Sequence, residues 1–151
     1  MRFLFLFFYF LFVCNTAVSI PRFGELTEMF DPKMRGKENS WVRPHPGPFV
    51  WEMIEPKEGD FYWKDADEYI KYSQEHNQNI IATIWPYNKW DQKTCKRKKS
   101  KSPFGKHFPR YLSKPCSIEK YLNFLSLLVD RYDGDNNNDM PGLTKPIIFW
   151  E

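Results

Sequence analysis

Arg43 and His45 lie in a segment, residues 41–63, whose residue types suit recognition chemistry. Its first part, W-V-R-P-H-P-G-P-F-V-W, combines a cation, an imidazole and two indole rings. Prolines stand at positions 44, 46, 48 and 56, and each removes backbone freedom. Side chains held by such a rigid loop lose little further entropy when a ligand binds. We therefore predict that this segment forms part of a binding surface.

Residues 130–139, D-R-Y-D-G-D-N-N-N-D, place oxygen ligands at alternate positions, as calcium-binding loops do. The sixth position counted from Asp133 is Asn138, where such loops need glycine, and the twelfth is Thr144, where they need glutamate. We interpret the segment as a polar connection between a helix and a strand. No metal site and no cofactor are predicted.

Residues 1–19 have the three parts of a secretory signal peptide: a basic start, an apolar run at 3–13 and small residues at 17–19. The apolar run is shorter than the roughly 20 residues that cross a bilayer, so we expect cleavage rather than a retained anchor. The protein is thus predicted to be secreted or periplasmic, with residues 20–151 as its mature part.

Three cysteines are present, and Cys14 would leave with the signal peptide. We expect no lipid anchor there, because Val13 occupies a position at which a lipoprotein signal needs a small residue. Cys95 and Cys116 remain as a pair in an exported chain, so we predict a disulfide between them. It would close a loop of about 20 residues. For a loop of that size, the chain-entropy model predicts that the disulfide stabilises the folded state by about 3 kcal/mol. Two metal-binding thiolates are the alternative, but no C-x-x-C motif or suitably spaced histidine supports them.

The formal net charge of the sequence is +3, and it falls to +2 when Arg2 leaves with the signal peptide. The main basic feature is a run of lysine and arginine at positions 93, 96, 97, 98, 99 and 101. We interpret the run as a solvated loop, with binding of a polyanion as the alternative. A nearly neutral mature chain argues against nucleic acid as a partner.

Hydrophobic patterning predicts that strands and helices alternate along the mature chain. Strands are expected at 40–43, 80–85 and 146–150, and amphipathic helices at 65–76 and 118–131. This order implies parallel strands joined by right-handed crossovers.

Two further expectations concern the less regular parts of the pattern. For residues 20–40 the pattern allows at most one short helix. The helix at 118–131 is expected to bury the side chains of Leu122, Leu125, Leu128 and Val129.

Doubly wound sheets and (β/α)8 barrels both use such an order of elements. No glycine-rich phosphate turn follows any predicted strand, which counts against the doubly wound sheet. Arg43, His45, Trp85 and Trp90 instead lie at or beyond strand carboxyl ends, where barrels bind their ligands. We predict an α/β fold, a partial (β/α)8 TIM barrel that covers roughly the first four β/α units.

Four stretches of this sequence resemble the retaining (β/α)8-barrel glycoside hydrolases, a large group that includes cellulases, β-xylosidases and β-galactosidases. They are W-V-R-P at 41–44, F-V-W-E-M-I-E-P-K-E-G-D-F-Y-W at 49–63, I-I-A-T-I-W-P-Y-N-K-W at 80–90 and P-I-I-F-W-E at 146–151. The second is the most specific, since I-E-P-x-x-G-x-Y/F-x-W before an acidic helix start recurs at the second strand of that group.

The resemblance implies a retaining mechanism with two glutamates about 5 to 5.5 Å apart, one as acid/base and one as nucleophile. The acid/base is expected in an Asn-Glu-Pro motif after the fourth strand, and the nucleophile after the seventh. Residues 146–150 match the fourth strand, so 20–151 would be the N-terminal part of a longer barrel domain, truncated at the end of strand 4. Glu151 follows tryptophan rather than asparagine, so we expect it to be structural or supporting and not the acid/base. No catalytic residue is therefore predicted within the chain.

The resemblance also gives the candidate residues roles in substrate binding. Arg43 matches the arginine that holds the nucleophile's carboxylate in its ionised state in many of these hydrolases. His45 would hydrogen-bond either a sugar hydroxyl or a loop carbonyl, and Asp91 would accept hydrogen bonds from sugar hydroxyls. Trp85 and Trp90 would stack on pyranose rings, although aromatic residues at such positions are often core packing.

The predicted function is that of an exported glycoside hydrolase that acts on O-glycosidic bonds of a poly- or oligosaccharide. Residues 20–151 alone are expected to be inactive. The alternatives are a non-catalytic carbohydrate-binding or cell-surface interaction protein on the same scaffold, and an enzyme that uses the barrel for other chemistry. Trp51 is a weaker aromatic candidate, whereas Glu52 and Glu55 are interpreted as residues that cap the loop. The expected partner is a carbohydrate, with no membrane contact beyond the signal peptide.

Overall fold

A computed structural model of the chain describes residues 24–28, 35–45, 47–100 and 110–151. The predicted signal peptide and Cys14 lie outside these residues. The strands are β1 (Gly24–Thr27), β2 (Trp41–Pro44), β3 (Asn79–Ala82) and β4 (Phe149–Trp150). The helices are α1 (Trp51–Ile54), α2 (Lys64–Glu75), α3 (Lys89–Thr94) and α4 (Ile118–Asp130). Within the described ranges, no helix is long and apolar enough to cross a membrane.

The four strands form one parallel sheet in the order β1-β2-β3-β4. At the carboxyl ends of the strands, Thr27 pairs with Pro44 and Ala82 pairs with Trp150. Residues that follow the strands therefore emerge at the same edge of the sheet. The α/β order agrees with the sequence analysis, and closure into a barrel stays a prediction.

Helix α2 is amphipathic, as its sequence predicts. Ala66, Tyr69, Ile70 and Ser73 are buried, and their spacing of three and four residues places them on one side of the helix. The helix begins with two acidic residues in its first turn, which suit the positive end of the helix dipole.

Helix α4 buries part of the face that its sequence predicts. Leu128 is fully buried and Leu125 packs against the core, as expected, but Leu122 is 57% exposed and Phe124, which was not predicted, is fully buried. Apolar residues occur all around this helix, so spacing alone did not decide which side meets the core. The serine before the helix accepts a hydrogen bond from the backbone N–H of Lys120 at 3.2 Å and caps the first turn, as its residue type suggests.

A core cluster of buried apolar residues joins the strands to helices α1, α2 and α4. Its largest fully buried side chains are those of Trp51, Tyr69, Tyr132, Phe49 and Phe124. Aromatic edges meet aromatic faces inside it, as between Phe49 and Tyr132, whose ring centroids lie 6.1 Å apart at 68°.

The pattern of residues 20–40 predicts no strand, whereas β1 occupies Gly24–Thr27. Pairing with β2 along the whole strand, from Gly24 opposite Trp41 onward, specifies this strand, and local periodicity could not reveal it. The segments after β2 and β3, both predicted as loops, contain the short helices α1 and α3.

Candidate functional site

Arg43, Thr83 and Glu151 meet at the carboxyl edge of the sheet. Arg43 lies near the end of β2, Thr83 directly follows β3, and Glu151 directly follows β4. Arg43 Nε donates a hydrogen bond to Glu151 Oε1, and Thr83 Oγ1 donates to the same oxygen at 2.6 Å. The side chains of Arg43 and Glu151 are 38% and 44% exposed, so a solute can reach them.

These two hydrogen bonds, from Thr83 first and then from Arg43, lower the pKa of Glu151. Hydrogen bonds to the charged form stabilise a carboxylate, and the positive charge of Arg43 acts in the same direction. Glu151 is therefore ionised at neutral pH. A general acid needs a raised pKa, so this environment suits a supporting carboxylate, and the role of Glu151 stays a prediction.

His45 and Trp85 form an aromatic pair beside this carboxylate. Their ring centroids lie 5.1 Å apart at 64°, and the charge of His45 contributes to the lowered pKa of Glu151. The backbone N–H of His45 donates to the Thr27 carbonyl oxygen at 2.7 Å, and that of Trp85 donates to the Phe49 carbonyl at 3.0 Å. Both residues are thus held by the strand ends and the loop that the sequence predicts to be rigid.

Trp90 and Asp91 have different surroundings. The indole N–H of Trp90 donates to the Glu55 carbonyl at 2.8 Å, and its ring packs edge-on against Trp51. The buried carboxylate of Asp91 accepts hydrogen bonds from the backbone N–H groups of Cys116 at 2.7 Å and Ser117 at 3.0 Å. The polar atoms of both side chains form hydrogen bonds that stabilise the fold. Contact of Trp90 and Asp91 with sugar stays a prediction.

Trp51 and Glu55 form a buried unit that shapes the loop after β2. Trp51 is fully buried, and its indole N–H donates to Glu55 Oε2 at 2.6 Å. The other carboxylate oxygen of Glu55 accepts from the backbone N–H of Gly59 at 2.8 Å, in a turn where Gly59 has φ of +75°. This arrangement agrees with the interpretation of Glu55 as a loop-capping residue, and it places Trp51 in the core.

Glu52 lies in α1, the helix after β2, and is partly buried. Burial raises its pKa, and the charge of nearby Lys89 opposes that rise. In the described part of the chain, Glu52 forms no hydrogen bond with Arg43, His45, Trp90 or Asp91.

Thr83 is the member of this group that the sequence analysis did not single out. It is a polar residue inside the apolar run I-I-A-T-I-W, one position beyond the end of β3. A hydroxyl at that position is the signal that could have identified it, since strand carboxyl ends gather binding residues.

Cys95 and Cys116 are joined by a disulfide, in agreement with the prediction, and their Cα atoms are 5.9 Å apart. In the acidic segment, the carboxylates of Asp133, Asp135 and Asp139 lie within 4.8 Å of one another. Asp139 accepts from the backbone N–H of Gly134 at 3.0 Å, and Asp133 accepts from that of Asp135 at 3.2 Å. These bonds within the loop fit the predicted polar connection.

A cavity of about 190 Å³ lies at the opposite, amino end of the strands. Trp41 and Asn79, the first residues of β2 and β3, help to line it. None of the predicted substrate-binding residues does. The cavity is therefore separate from the group at the carboxyl edge.

No known protein family and no curated protein matches this sequence. The structure is similar to the crystal structure of a β-galactosidase from the psychrophilic Marinomonas ef1, with a TM-score of 0.50 and 20% sequence identity. The similarity covers 76% of this chain and 20% of the β-galactosidase, so the chain spans about one fifth of that protein's length. At this level of identity the likeness shows the fold that the two chains share.

Proposed function

We propose that this chain is the N-terminal part of a (β/α)8-barrel protein that binds and hydrolyses carbohydrates in the manner of the retaining glycoside hydrolases. The observation that carries the proposal is the group of Arg43, Thr83 and Glu151 beside the His45–Trp85 pair, at the carboxyl edge of a parallel sheet. In barrels, this edge holds the active site. The similarity to a β-galactosidase supports the choice of barrel.

Exposed apolar side chains on the outer strands are consistent with the proposal that these strands belong to a larger sheet. Leu26 on β1 is 62% exposed and Phe149 on β4 is 51% exposed. Strands of parallel sheets are normally covered on both faces, and an open edge favours pairing with another strand. Further strands beside β1 and β4 would pair with these open edges, and closure into a barrel would cover the side chains of its inner face.

Within the proposed site, Glu151 positions Arg43. The hydrogen bond to Glu151 uses Nε of Arg43, so the two terminal nitrogens of the guanidinium can meet a second carboxylate. That is the role implied by the resemblance, in which the arginine keeps the nucleophile ionised. In this proposal the two reacting glutamates of the mechanism are not among residues 24–151.

Trp85 and His45 supply the sugar contact. An indole face attracts the C–H groups of a pyranose ring, and an imidazole can exchange hydrogen bonds with sugar hydroxyls. The proposed setting is extracellular or periplasmic, which the disulfide between Cys95 and Cys116 supports because such bonds persist in oxidising compartments.

The test uses the protein in its full natural length. We expect it to hydrolyse aryl β-galactosides, β-glucosides or β-xylosides, with proton NMR showing retention at the anomeric carbon. Calorimetric titration with the matching oligosaccharide should show that Trp85→Ala weakens binding about tenfold, which corresponds to about 1.4 kcal/mol.

The matched control is Tyr62→Ala, because Tyr62 is an exposed aromatic residue, 46% accessible, on the segment before α2. It should leave sugar affinity unchanged. Binding without hydrolysis would favour the non-catalytic carbohydrate-binding alternative. Failure to bind any of these sugars, or an equal loss in Tyr62→Ala, would overturn the proposed site.

A further inference from the structure

The segment that runs from the last turn of α3 to the start of α4 carries an unusual concentration of positive charge. Between Asp91 and Glu119 the sequence contains nine lysine and arginine residues and no acidic residue. Seven of these cationic residues are described, and all seven are exposed. We name them the basic surface: Lys93, Lys96, Arg97, Lys98, Lys99, Arg110 and Lys114.

Neighbouring carboxylates do not neutralise this surface in the part of the chain that the structure describes. The ion pairs found there are Lys37–Glu25, Arg43–Glu151, Lys64–Glu68, Lys120–Glu58 and Arg131–Asp67, and none includes a member of the basic surface. Like charges held close together repel one another, and a polyanion would relieve that repulsion while releasing its own counterions.

The ends of the segment are held firmly, so the charges do not sit on a free tail. The Cys95–Cys116 disulfide joins them covalently. The buried side-chain amide of Gln92 donates to the Ser113 carbonyl at 2.5 Å and accepts from the Ser113 N–H at 3.0 Å. Buried Asp91 adds the two hydrogen bonds to residues at the start of α4. A surface built in this way loses less entropy on binding than a flexible basic tail would.

The residue types around the charges distinguish between classes of polyanion. Tyr111 follows Arg110, whereas residues 93–100, K-T-C-K-R-K-K-S, which hold five of the seven cationic residues, contain no aromatic side chain on which nucleic acid bases could stack. They also contain no large apolar side chain that could insert among lipids. The disulfide favours an oxidising compartment, where polysaccharides are abundant polyanions.

We propose that the basic surface binds an acidic polysaccharide, a glycan that carries carboxylate or sulfate groups. The choice of a glycan rests on the function proposed above, and it narrows the substrate class of that function. The chain leaves the sheet at the carboxyl end of β3, the edge at which Thr83 and Glu151 lie, and reaches this segment through α3. The surface would hold the charged parts of a long chain, while the group around Arg43 and Trp85 meets a sugar unit.

The experiment measures binding of the full-length protein to four polymers by affinity electrophoresis and calorimetry. Polygalacturonate supplies carboxylates, dextran sulfate supplies sulfates, dextran is the neutral control, and double-stranded DNA is the competing polyanion. We expect binding to one or both acidic glycans and none to dextran through this surface. The affinity should fall about 100-fold between about 50 and about 200 mM salt, as expected for roughly five neutralised charges.

A variant with four substitutions tests the surface itself: Lys96→Gln, Arg97→Gln, Lys98→Gln and Lys99→Gln. Its matched control replaces four exposed lysines elsewhere, Lys37, Lys57, Lys64 and Lys71, by glutamine, so both variants lose four positive charges. We expect at least a tenfold loss of affinity for the acidic glycan in the first variant and a change of less than threefold in the control.

Each arm has an outcome that overturns the proposal. Equal losses in the two variants would mean that only net charge matters, and tighter binding to DNA than to either acidic glycan would assign the surface to nucleic acid. No binding at about 50 mM salt would leave the surface a solvated loop. Binding of a neutral oligosaccharide tests the other site. The four-substitution variant should retain that binding, and Trp85→Ala should weaken it about tenfold while still binding the acidic glycan. The two proposals can therefore fail separately.

Discussion

Arg43 and Glu151 are 108 residues apart in the sequence, yet Arg43 Nε donates a hydrogen bond to Glu151 Oε1. They meet because β2, β3 and β4 are neighbouring parallel strands whose carboxyl ends share one edge. Thr83, on the strand between them, donates to the same oxygen. The two hydrogen bonds thus join residues at the ends of three neighbouring strands, and they form because the strands lie in this order.

We expect this group to make the stability of the fold depend on pH in the acid range. The pKa of Glu151 is lowered in the folded protein, chiefly by Thr83 and Arg43. Its contribution is then fully present above the unfolded pKa of about 4.3 and is lost as the pH falls through the folded value. Urea unfolding should show that Glu151→Gln is less stable than the natural protein at neutral pH, with the difference disappearing in acid.

The control for that prediction is Glu68→Gln, which removes the exposed i,i+4 pair with Lys64 on α2. Exposed pairs of this kind contribute little, so its unfolding curve should stay close to that of the natural protein at each pH. A difference between the Glu151 variant and the natural protein that persists unchanged in acid would contradict the assignment.

Asp67 connects α2 to the end of α4, and its removal should destabilise the fold. Arg131 donates to it twice, from Nε at 2.9 Å and Nη2 at 2.5 Å, and the Tyr132 hydroxyl donates at 2.8 Å. Arg131 is only 19% exposed in its side chain, so Asp67→Ala leaves a largely buried cation without its partner. We expect a loss of about 2 to 4 kcal/mol in the free energy of unfolding.

Denaturant unfolding measures that loss, and Lys64→Ala is its control on the exposed side of the same helix. A change below about 0.5 kcal/mol in Asp67→Ala would show that the ion pair and the tyrosine hydrogen bond do not stabilise the native state.

A substitution of Asp91 can distinguish a role in stability from a role in sugar binding. Its carboxylate accepts the backbone N–H groups of Cys116 and Ser117, next to the start of α4. Asp91→Ala should therefore lower the free energy of unfolding by about 1 to 3 kcal/mol, since two partly buried donors lose their buried acceptor. Calorimetric titration of the folded variant with oligosaccharide should give the natural affinity. A sugar affinity that falls without loss of stability would instead support the sequence-based role of Asp91 in substrate binding.

Removing the disulfide should also lower stability. The two cysteines are 21 residues apart, and a loop of that size is stabilised by about 3 kcal/mol in the chain-entropy model. We expect the double variant Cys95→Ser, Cys116→Ser to lose about 2 to 3 kcal/mol, measured by urea unfolding. A reducing agent should lower the stability of the natural protein by a similar amount and leave the double variant unchanged. A natural protein that is insensitive to reduction would contradict this expectation.

Residues with strong local signals were predicted well from the sequence. The buried face of α2, with Ala66, Tyr69, Ile70 and Ser73, follows from a helical spacing that no competing apolar residue obscures. The loop-capping role of Glu55 agrees with its bonds to Trp51 and Gly59.

Features that depend on distant partners were not predictable in the same way. Strand β1 exists because Gly24–Thr27 pairs with β2, and a four-residue segment has too little pattern to show that. The buried side of α4 depends on which neighbours its apolar residues meet, which is why Leu122 is exposed and Phe124 is buried. Thr83 was overlooked for the same reason, since its hydroxyl gains meaning only when Glu151 lies beside it.

The 5.9 Å between the Cα atoms of Cys95 and Cys116 is less than the length of two residues in a strand, at about 3.3 Å each. The chain therefore leaves α3 and returns before α4 at almost the same point. A segment with such closely spaced ends can be lengthened, shortened or exchanged while the sheet beneath it keeps its geometry. This connection is thus a site at which a different surface or a reporter domain can be grafted without changing the sheet.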